Sequence, residues 1–211
     1  MTTPPDSAAR DGDAPRFLEY AVDPRTLARR LLGQRLVRVI DGERHAGIIV
    51  ETEAYLGAID RAAHTHGGRR TARNESMYLP GGHAYVYFTY GMHDCMNVVA
   101  GEADEGVAVL LRALDPTEGL TAMRARRFAA RSDRDLCSGP ARLTQALVID
   151  RELDGEDLRT SERLFIERLR RRALPAARIG EGPRVGVAYA GEWAEQPLRY
   201  WGRGNVHVSR R

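Results

Sequence analysis

The sequence predicts an α+β protein: a single compact domain with a mixed, mostly antiparallel sheet and flanking helices. Three observations predict this class. Runs rich in β-branched and aromatic residues recur along the chain, an Asp41-Gly42 pair between two of them is typical of a tight hairpin, and helix-start signals occur between other runs. There is no internal repeat and no linker after residue 16, so residues 17–211 are predicted to form one domain.

Length and composition limit the class of protein to which the chain can belong. The chain has 211 residues, of which 43% are hydrophobic, an ordinary proportion for a globular domain. Residues 1–16 are rich in Pro, Asp and Ala and lack the apolar stretch of a signal peptide, so we expect a disordered tail there. No apolar run is long enough for a transmembrane helix. The two cysteines, Cys95 and Cys137, lie far apart and indicate a reducing, cytoplasmic setting without a disulfide framework.

The basic residues are unusual in kind. All 32 lysine and arginine positions are arginine, although the net charge is only +3. Catalysis through a lysine Schiff base is therefore unavailable, whereas the arginine fork suits phosphate groups. A pI near 9.1 permits a nucleic-acid partner without requiring one.

The predicted strands, in chain order, are Gln34–Ile40, Arg44–Tyr55, Ala84–Tyr90, Met96–Val99, Val107–Leu114, Arg184–Tyr189 and Leu198–Trp201. The predicted helices begin at Asp23-Pro24, at Asp115-Pro116-Thr117-Glu118 and at Ser138-Gly139-Pro140. Ala58–Gly82 is polar and Gly-rich, and a loop of this length inside a domain is usually functional. Arg159–Leu174 fits a strand followed by a loop as well as a helix.

Two carboxylates stand at the end of the second strand, after the apolar run Ile48-Ile49-Val50. Because side chains alternate along a strand, Glu51, Glu53 and Tyr55 share one face. The pattern fits a solvated strand end, and it also fits a general base beside an aromatic ring that stacks on a ligand. Alternation alone does not separate Glu51 from Glu53.

Arg112 ends the apolar run Val107–Leu111. A charge that leaves a buried strand needs a partner, and a structural salt bridge would supply one. Pairing with Glu51 or Glu53 would also do so, and it would hold the carboxylate ionised, as a general base requires.

The most aromatic part of the chain is Tyr85–Met92, where Tyr85 and Tyr87 are predicted to share one face and Tyr90 the other. Core packing and stacking on a ligand both remain open for these rings, and stacking on a nucleic-acid base contributes about 1–3 kcal/mol. Three histidines form only a weak zinc pattern, since no cysteine lies nearby: His64, His66 and His83. We expect no metal site.

Five segments resemble the alkyladenine (3-methyladenine or methylpurine) DNA glycosylase family, in the family's order and over roughly residues 20–203. They are VETEAYLGAIDRAAHTHGGRRTARN (Val50–Asn74), AYVYFTYGMHDCMNVV (Ala84–Val99), VLLRALDPTEGL (Val109–Leu120), LCSGPARLTQAL (Leu136–Leu147) and RVGVAYAGEW (Arg184–Trp193). The resemblance implies a compact mixed α/β fold with a β-hairpin facing DNA. It also implies removal of alkylated and deaminated purines, the 3-methyladenine, hypoxanthine and ethenoadenine class, from double-stranded DNA without metal or cofactor.

The resemblance assigns catalytic roles position by position. Glu53 matches the general base that activates a water molecule, and Arg112 matches the residue that helps to hold this water. The backbone carbonyl at Val185 is expected to hold it as well.

The resemblance also implies a base pocket. Tyr55 would form one wall, with His64 and Tyr87 opposite. The backbone at Ala62 and His64 would read the edge of the base, and Asn97 would disfavour guanine by crowding its exocyclic amine.

For DNA itself, Tyr90 matches the side chain wedged into the duplex where the flipped nucleotide was, with Met92 beside it. Arg73 and Arg142 are expected to contact the DNA backbone, where arginine forks bind phosphate.

The sequence therefore predicts a monofunctional DNA glycosylase of base excision repair, which flips a damaged purine out of the duplex and hydrolyses its N-glycosidic bond with water. The alternative is a non-catalytic damage- or nucleic-acid-binding module with the same pocket, against which the presence of both Glu53 and Arg112 argues. We expect a monomer without a membrane partner, located in a bacterial-type cytoplasm and associated with the nucleoid when it acts.

Overall fold

The structure is a computed structural model that describes residues 14–89 and 91–209. Tyr90 and most of the predicted tail lie outside the described residues. The helices are α1 (Pro24–Leu31), α2 (Leu120–Arg126), α3 (Asp133–Leu136) and α4 (Pro140–Leu147). The strands are β1 (Arg35–Ile40), β2 (Glu43–Tyr55), β3 (Ala84–Thr89), β4 (His93–Val99), β5 (Ala108–Glu118), β6 (Leu164–Glu167), β7 (Ile179–Gly182) and β8 (Arg199–Gly202).

One curled sheet organises the described chain, and the α+β prediction is confirmed. Its strands follow the order β3-β4-β5-β2-β1-β6, and β7 joins through β8, which pairs with β2. Each strand pairing within the described ranges is antiparallel. β2 is the central strand, because it pairs with β1 along its first half, with β8 near its end and with β5 along most of its length.

The first helix and hairpin form where the sequence predicts them. The Asp23 carboxylate accepts hydrogen bonds from two amides at the start of α1, and Pro24 takes the first helical position. The buried face of α1 includes Leu27 and Leu31. Asp41 and Gly42 both have positive φ, as a two-residue turn between β1 and β2 requires.

The predicted helix start at Asp115–Glu118 is wrong, because these residues continue β5. Asp115 pairs with Ile48 of β2, and the Glu118 carboxylate lies 2.9 Å from both Arg35 and Arg44. Helix α2 begins only after Gly119. Pairing with a central strand and two ion pairs thus outweigh a local capping signal.

The predicted strand Arg184–Tyr189 is also wrong. Gly186 has φ of 81°, which bends the chain out of the extended conformation, and a 3-10 helix begins at Ala188. Val187 is buried against Ala62 instead of lying in a sheet. By contrast β8, Arg199–Gly202, agrees with the predicted late strand to within one residue.

The arginine-rich segment 159–174, which the sequence left open, forms β6 followed by irregular chain. All three of its arginines before residue 170 pair with carboxylates: Arg159 with Asp157, Arg163 with Glu156 and Arg168 with Glu19. The backbone of Arg16 forms an isolated antiparallel β-bridge with Glu167 of β6, so the described end of the predicted tail lies against the sheet.

The core lies between the sheet and helices α1 and α4. Thr52 of β2 donates a hydrogen bond to the Ala28 carbonyl of α1, and Thr144 of α4 donates one to the Asp94 carbonyl of β4. Among the described residues no helix has the length and apolarity needed to cross a membrane. Residues near the end of β2 and the middle of β5, which carries Arg112, are buried, and they build the site described next.

Candidate active site

The end of β2 carries a distorted register against β5. Glu51 faces Ala113 and Thr52 faces Leu111, so Arg112 between them has no direct partner on β2. Such irregularities re-aim side chains and are common beside functional sites. Here the Arg112 side chain lies between the two carboxylates of β2.

Arg112 contacts both of these carboxylates, where the sequence had offered a pairing with either one. Its Nε lies 3.0 Å from Glu51 Oε1 and its Nη1 lies 3.2 Å from Glu53 Oε1. Both glutamate side chains are fully buried, and Arg112 is 5% exposed. Burial alone would disfavour these three charges, and mutual pairing is what makes them tolerable.

Glu53 receives two further donors. The Val185 amide N–H donates to Oε1 at 2.7 Å, and the Tyr55 hydroxyl donates to Oε2 at 3.0 Å. Burial raises the pKa of Glu53, whereas Arg112, the Val185 amide and the Tyr55 hydroxyl lower it. Because burial has the largest effect, the pKa of Glu53 lies above its usual range. The Arg112 pairing thus counters burial without reversing it. The Val185 carbonyl role stays a prediction, since the contact seen is through the amide.

Glu51 has different surroundings. Its carboxylate accepts a hydrogen bond from the Ser209 amide at 2.6 Å and lies 3.3 Å from Arg199 Nε, in addition to Arg112. Ser209 and Arg199 do not line the cavity described below, whereas Tyr55, Arg112 and Val185 do. The surroundings therefore separate the two carboxylates that alternation left equal. Glu53 does not itself line the cavity but bonds three residues that do, and so lies behind its wall, whereas Glu51 shares only Arg112 with that wall.

The cavity above Glu53 has a volume of about 300 Å³, at the small end of ligand pockets. Seven of its lining residues are ones to which the resemblance assigns a catalytic or base-pocket role: Tyr55, Ala62, His64, Tyr87, Asn97, Arg112 and Val185. The His64 and Tyr87 rings meet edge to face with centroids 4.5 Å apart, and Tyr85 stacks against Tyr87 at 5.3 Å. A small, largely aromatic cavity of this kind fits a flat ring.

Three ionisable rings of the cavity, those of Tyr55, His64 and Tyr87, are neutral near pH 7. Burial, together with the charges of Arg73 and Arg69, lowers the pKa of His64 to about 4. His64 Nδ1 lies 2.7 Å from the Tyr85 hydroxyl. Burial raises the pKa of Tyr55 and of Tyr87 well above the ordinary value. The walls therefore present uncharged aromatic faces.

The three histidines of the weak zinc pattern, His64, His66 and His83, bond different groups and do not face a common point. His66 Nδ1 bonds the Ala58 carbonyl and His83 Nδ1 bonds the Pro80 carbonyl, while His64 faces Tyr85. In residues 14–89 and 91–209 there is no group of three His, Cys, Asp or Glu side chains that could hold a metal ion.

The backbone groups of Ala62 and His64, which are expected to read a base, already form some hydrogen bonds within the protein. The Ala62 amide donates to Asp60 at 3.0 Å and the Ala62 carbonyl accepts from the Tyr189 hydroxyl at 3.3 Å. The His64 carbonyl accepts from Asn74. Asn97 is buried in the cavity wall, where its amide donates to the Tyr85 carbonyl at 3.2 Å.

The remaining predicted contacts lie around the β3–β4 hairpin. Met92, in its turn, is 69% exposed. Arg73 is exposed and donates to the Phe88 carbonyl of β3. Arg142, on the first turn of α4, is half-exposed and bonds Ser138. Tyr90 lies outside the described residues, so its predicted role stays a prediction.

Sequence reasoning missed a buried ion pair between Asp60 and Arg184 and the exposed ring of Tyr189 at the cavity mouth. Asp60 stands in a loop without periodicity and Arg184 was placed in a strand, so no local pattern marked either residue. The signal that could have found them is their place in two of the family-like segments, Val50–Asn74 and Arg184–Trp193.

The fold and site together define a class: a single-domain α+β protein whose buried carboxylate, held against an arginine, lies beneath a small aromatic cavity. Such a site can bind a planar group and take a proton from a nucleophile beside it.

Comparison with known proteins identifies the family to which this site belongs. The methylpurine-DNA glycosylase family profile matches residues 18–206. The chain is 44% identical to a mouse DNA-3-methyladenine glycosylase over 99% of this chain and 64% of the relative, and 46% identical to the human one over 91% and 67%. It is 40% identical to a putative 3-methyladenine DNA glycosylase of Bacillus cereus over 91% of this chain and 97% of the relative.

The chain belongs to the methylpurine-DNA glycosylase family. It spans about two thirds of the length of these mammalian relatives and nearly all of the Bacillus relative.

Proposed function

We propose that this protein is a monofunctional DNA glycosylase that removes alkylated and deaminated purines from double-stranded DNA. The observation that carries the proposal is the buried Glu53 carboxylate, paired with Arg112 in the wall of a cavity that several aromatic rings line. Family membership supplies the substrate class, since the relatives are named for 3-methyladenine.

Substrate selection begins with extrusion of the nucleotide, which costs a few kcal/mol and costs least for damaged bases that pair poorly. The β3–β4 hairpin would face the DNA, with Tyr90 and Met92 at the gap left by the base. An alkylated purine carries positive charge, and faces of Tyr55 and Tyr87 attract it by about 0.5–2 kcal/mol. Because His64 is neutral near pH 7, it does not oppose this charge.

The flipped base would lie between Tyr55 and the His64–Tyr87 pair. The His64 amide and the Ala62 carbonyl would read its edge, the latter after release from Tyr189. Asn97, fixed by its bond to the Tyr85 carbonyl, would crowd a guanine amine.

Hydrolysis follows from the position of Glu53. With Arg112 and Val185 fixing Oε1, the carboxylate would take a proton from a water molecule whose oxygen bonds C1′ of the sugar as the bond from C1′ to the purine breaks. A cationic alkylated purine then leaves as a neutral base, and hypoxanthine takes up one proton from solvent. A pKa raised by burial makes Glu53 a stronger base than an exposed glutamate. Because the chain has no lysine, no lysine Schiff base can form, and the N-terminal amine is the only primary amine left. With water as the nucleophile, an intact abasic site remains.

The test is a duplex with one inosine, incubated with the protein and then treated with alkali. We expect a single strand break at the lesion, dependent on alkali and resistant to EDTA. A non-catalytic binding module would shift the duplex on a gel without any break, and a metal-dependent nuclease would cut without alkali and stop in EDTA. Either result would overturn the proposal.

A further inference from the structure

A buried ion pair lies just outside the cavity. The Arg184 guanidinium forms a two-pronged contact with Asp60, with Nη1–Oδ2 of 2.5 Å and Nη2–Oδ1 of 2.8 Å. Both side chains are fully buried, and the two residues are 124 positions apart in sequence. Neither side chain lines the cavity.

The pair contacts two separate segments that build the site, the end of β2 and the loop at Ala62. Arg184 Nη1 also donates to the Ala54 carbonyl, next to Glu53 at the end of β2, at 3.0 Å. Its guanidinium carbon lies 4.7 Å from the centroid of the Tyr55 ring. The Asp60 carboxylate also accepts from the Ala62 amide at 3.0 Å.

Arg184 is followed directly by Val185, whose amide bonds Glu53. This stretch of chain is irregular, and Gly186 after it has φ of 81°. Sheet hydrogen bonds do not fix the Val185 amide, because β7 ends at Gly182. The contacts of Arg184 with Asp60, with Ala54 and, at 3.3 Å, with the Trp193 carbonyl hold this stretch against β2.

We propose that Asp60 and Arg184 are positioning residues, which set the Val185 amide against Glu53 and the Ala62 backbone against the base through one shared, buried fork. The inference rests on the proposed role of Glu53 as the base. It goes beyond that role because it links the water-activating half of the site to the base-reading half. Arginine rather than lysine is needed, since only a planar fork can hold both carboxylate oxygens in one plane.

A displaced Val185 has a defined consequence for pH dependence. The Val185 amide is one of the donors that lower the pKa of Glu53, so its loss raises that pKa. Excision needs the ionised carboxylate, so activity would then be lost at a higher pH. The charged or ionisable groups around Glu53 come from every element packed on it: Glu51 and Tyr55 of β2, Tyr87 of β3, Cys95 of β4, Arg112 of β5, Arg199 of β8, and Arg184.

The sign of the effect separates positioning from simple electrostatics. Asp60→Asn removes a negative charge and keeps Arg184, so electrostatics alone would lower the pKa of Glu53 and move the acidic limb of the pH–rate profile to lower pH. A loosened Val185 amide moves the limb to higher pH instead. The two explanations therefore predict opposite directions for one variant.

The experiment measures kcat, KM and the pH profile of excision from an inosine duplex. For Asp60→Asn we expect kcat to fall about tenfold or more, KM to change little, and the acidic limb to move to higher pH. Arg184→Lys keeps the charge but loses the fork, so it should behave like Asp60→Asn. An acidic limb that is unmoved or moves to lower pH in Asp60→Asn, or wild-type kcat in Arg184→Lys, would overturn the inference.

Glu167→Gln is the matched control. Glu167 is a buried carboxylate held by Arg35 and Arg44 at the far edge of the sheet, so its loss should lower stability without moving the acidic limb. If Asp60→Asn does not fold, Asp60→Asn/Arg184→Gln replaces it, because the double variant leaves no unpaired buried charge. Its readout is amide exchange at Val185 and Ala62, which should be faster than in the wild type. Loss of the Arg184 charge by itself raises the pKa of Glu53, so the limb does not discriminate in this variant.

Amide hydrogen exchange gives a readout that does not need activity. In Asp60→Asn the Val185 and Ala62 amides should exchange at least about tenfold faster than in the wild type, while amides in β5 exchange unchanged. Unchanged exchange at both amides would refute the positioning role. If the wild type excised nothing while exchange at these amides still changed as expected, the proposed function would fail and the positioning role would stand.

Discussion

Replacing Tyr55 by phenylalanine removes the hydroxyl group that bonds Glu53 Oε2 at 3.0 Å and keeps the ring that lines the cavity. A hydrogen bond to a charged group contributes about 1.5–3 kcal/mol. At 3.0 Å the bond is long for a charge-assisted O–H···O⁻ contact, so the lower figure of about 1.5 kcal/mol applies. Because the hydroxyl stabilises the ionised carboxylate, its removal raises the pKa of Glu53.

A general base works above its pKa, so activity in Tyr55→Phe should be lost at higher pH than in the wild type. An energy of about 1.5 kcal/mol corresponds to a displacement of about one pH unit. The assay is the single-turnover rate of excision from an inosine duplex, measured from acidic to neutral pH. On the plateau above the limb, the rate should stay within a few-fold, since the more basic carboxylate compensates for its lost partner.

Tyr85→Phe is the matched control. Its hydroxyl bonds His64 rather than Glu53, so its acidic limb should stay in place. If Tyr55→Phe shows the wild-type limb, or a limb at lower pH, while the protein remains folded, Glu53 is not the group that titrates and the reasoning fails.

Three further predictions concern chemistry, DNA contact and stability. Borohydride should trap no covalent protein–DNA adduct, because the chain has no lysine to form a Schiff base, and a trapped adduct would contradict hydrolysis by water. Arg142→Ala should weaken duplex binding and lower the slope of log K against log salt by about one, as loss of one phosphate contact requires; an unchanged slope would remove Arg142 from the DNA interface. Asp23→Ala should destabilise the domain by about 1 kcal/mol through loss of the α1 cap, lowering the melting temperature by about 2–4 °C, and an unchanged melting temperature would count against the capping role.

The sequence predicts those features that depend on local patterns. An adjacent Asp-Gly pair predicts the turn at Asp41-Gly42, and an Asp-Pro pair predicts the start of α1. Alternation along a strand predicts the face that Glu51, Glu53 and Tyr55 share. The pairing of Arg112 with a carboxylate follows from the cost of leaving a buried charge alone.

Features that depend on distant chain were not predictable in this way. The choice between Glu51 and Glu53 depends on Val185 and Ser209, which are 132 and 158 residues away from the carboxylates they bond. The Asp60–Arg184 pair joins a loop to an irregular stretch that sequence alternation wrongly suggested was a strand. At Asp115, pairing with β2 outweighed a capping motif.

The central claim is that Glu53, rather than its neighbour Glu51, is the base. The most direct test compares Glu53→Gln with Glu51→Gln in single-turnover excision from an inosine duplex, together with binding of the same duplex. We predict that Glu53→Gln binds the lesion but excises it about 10²–10⁴-fold more slowly, whereas Glu51→Gln retains measurable turnover. Excision by Glu53→Gln at the wild-type rate, or a larger loss in Glu51→Gln than in Glu53→Gln with both proteins folded, would contradict the assignment.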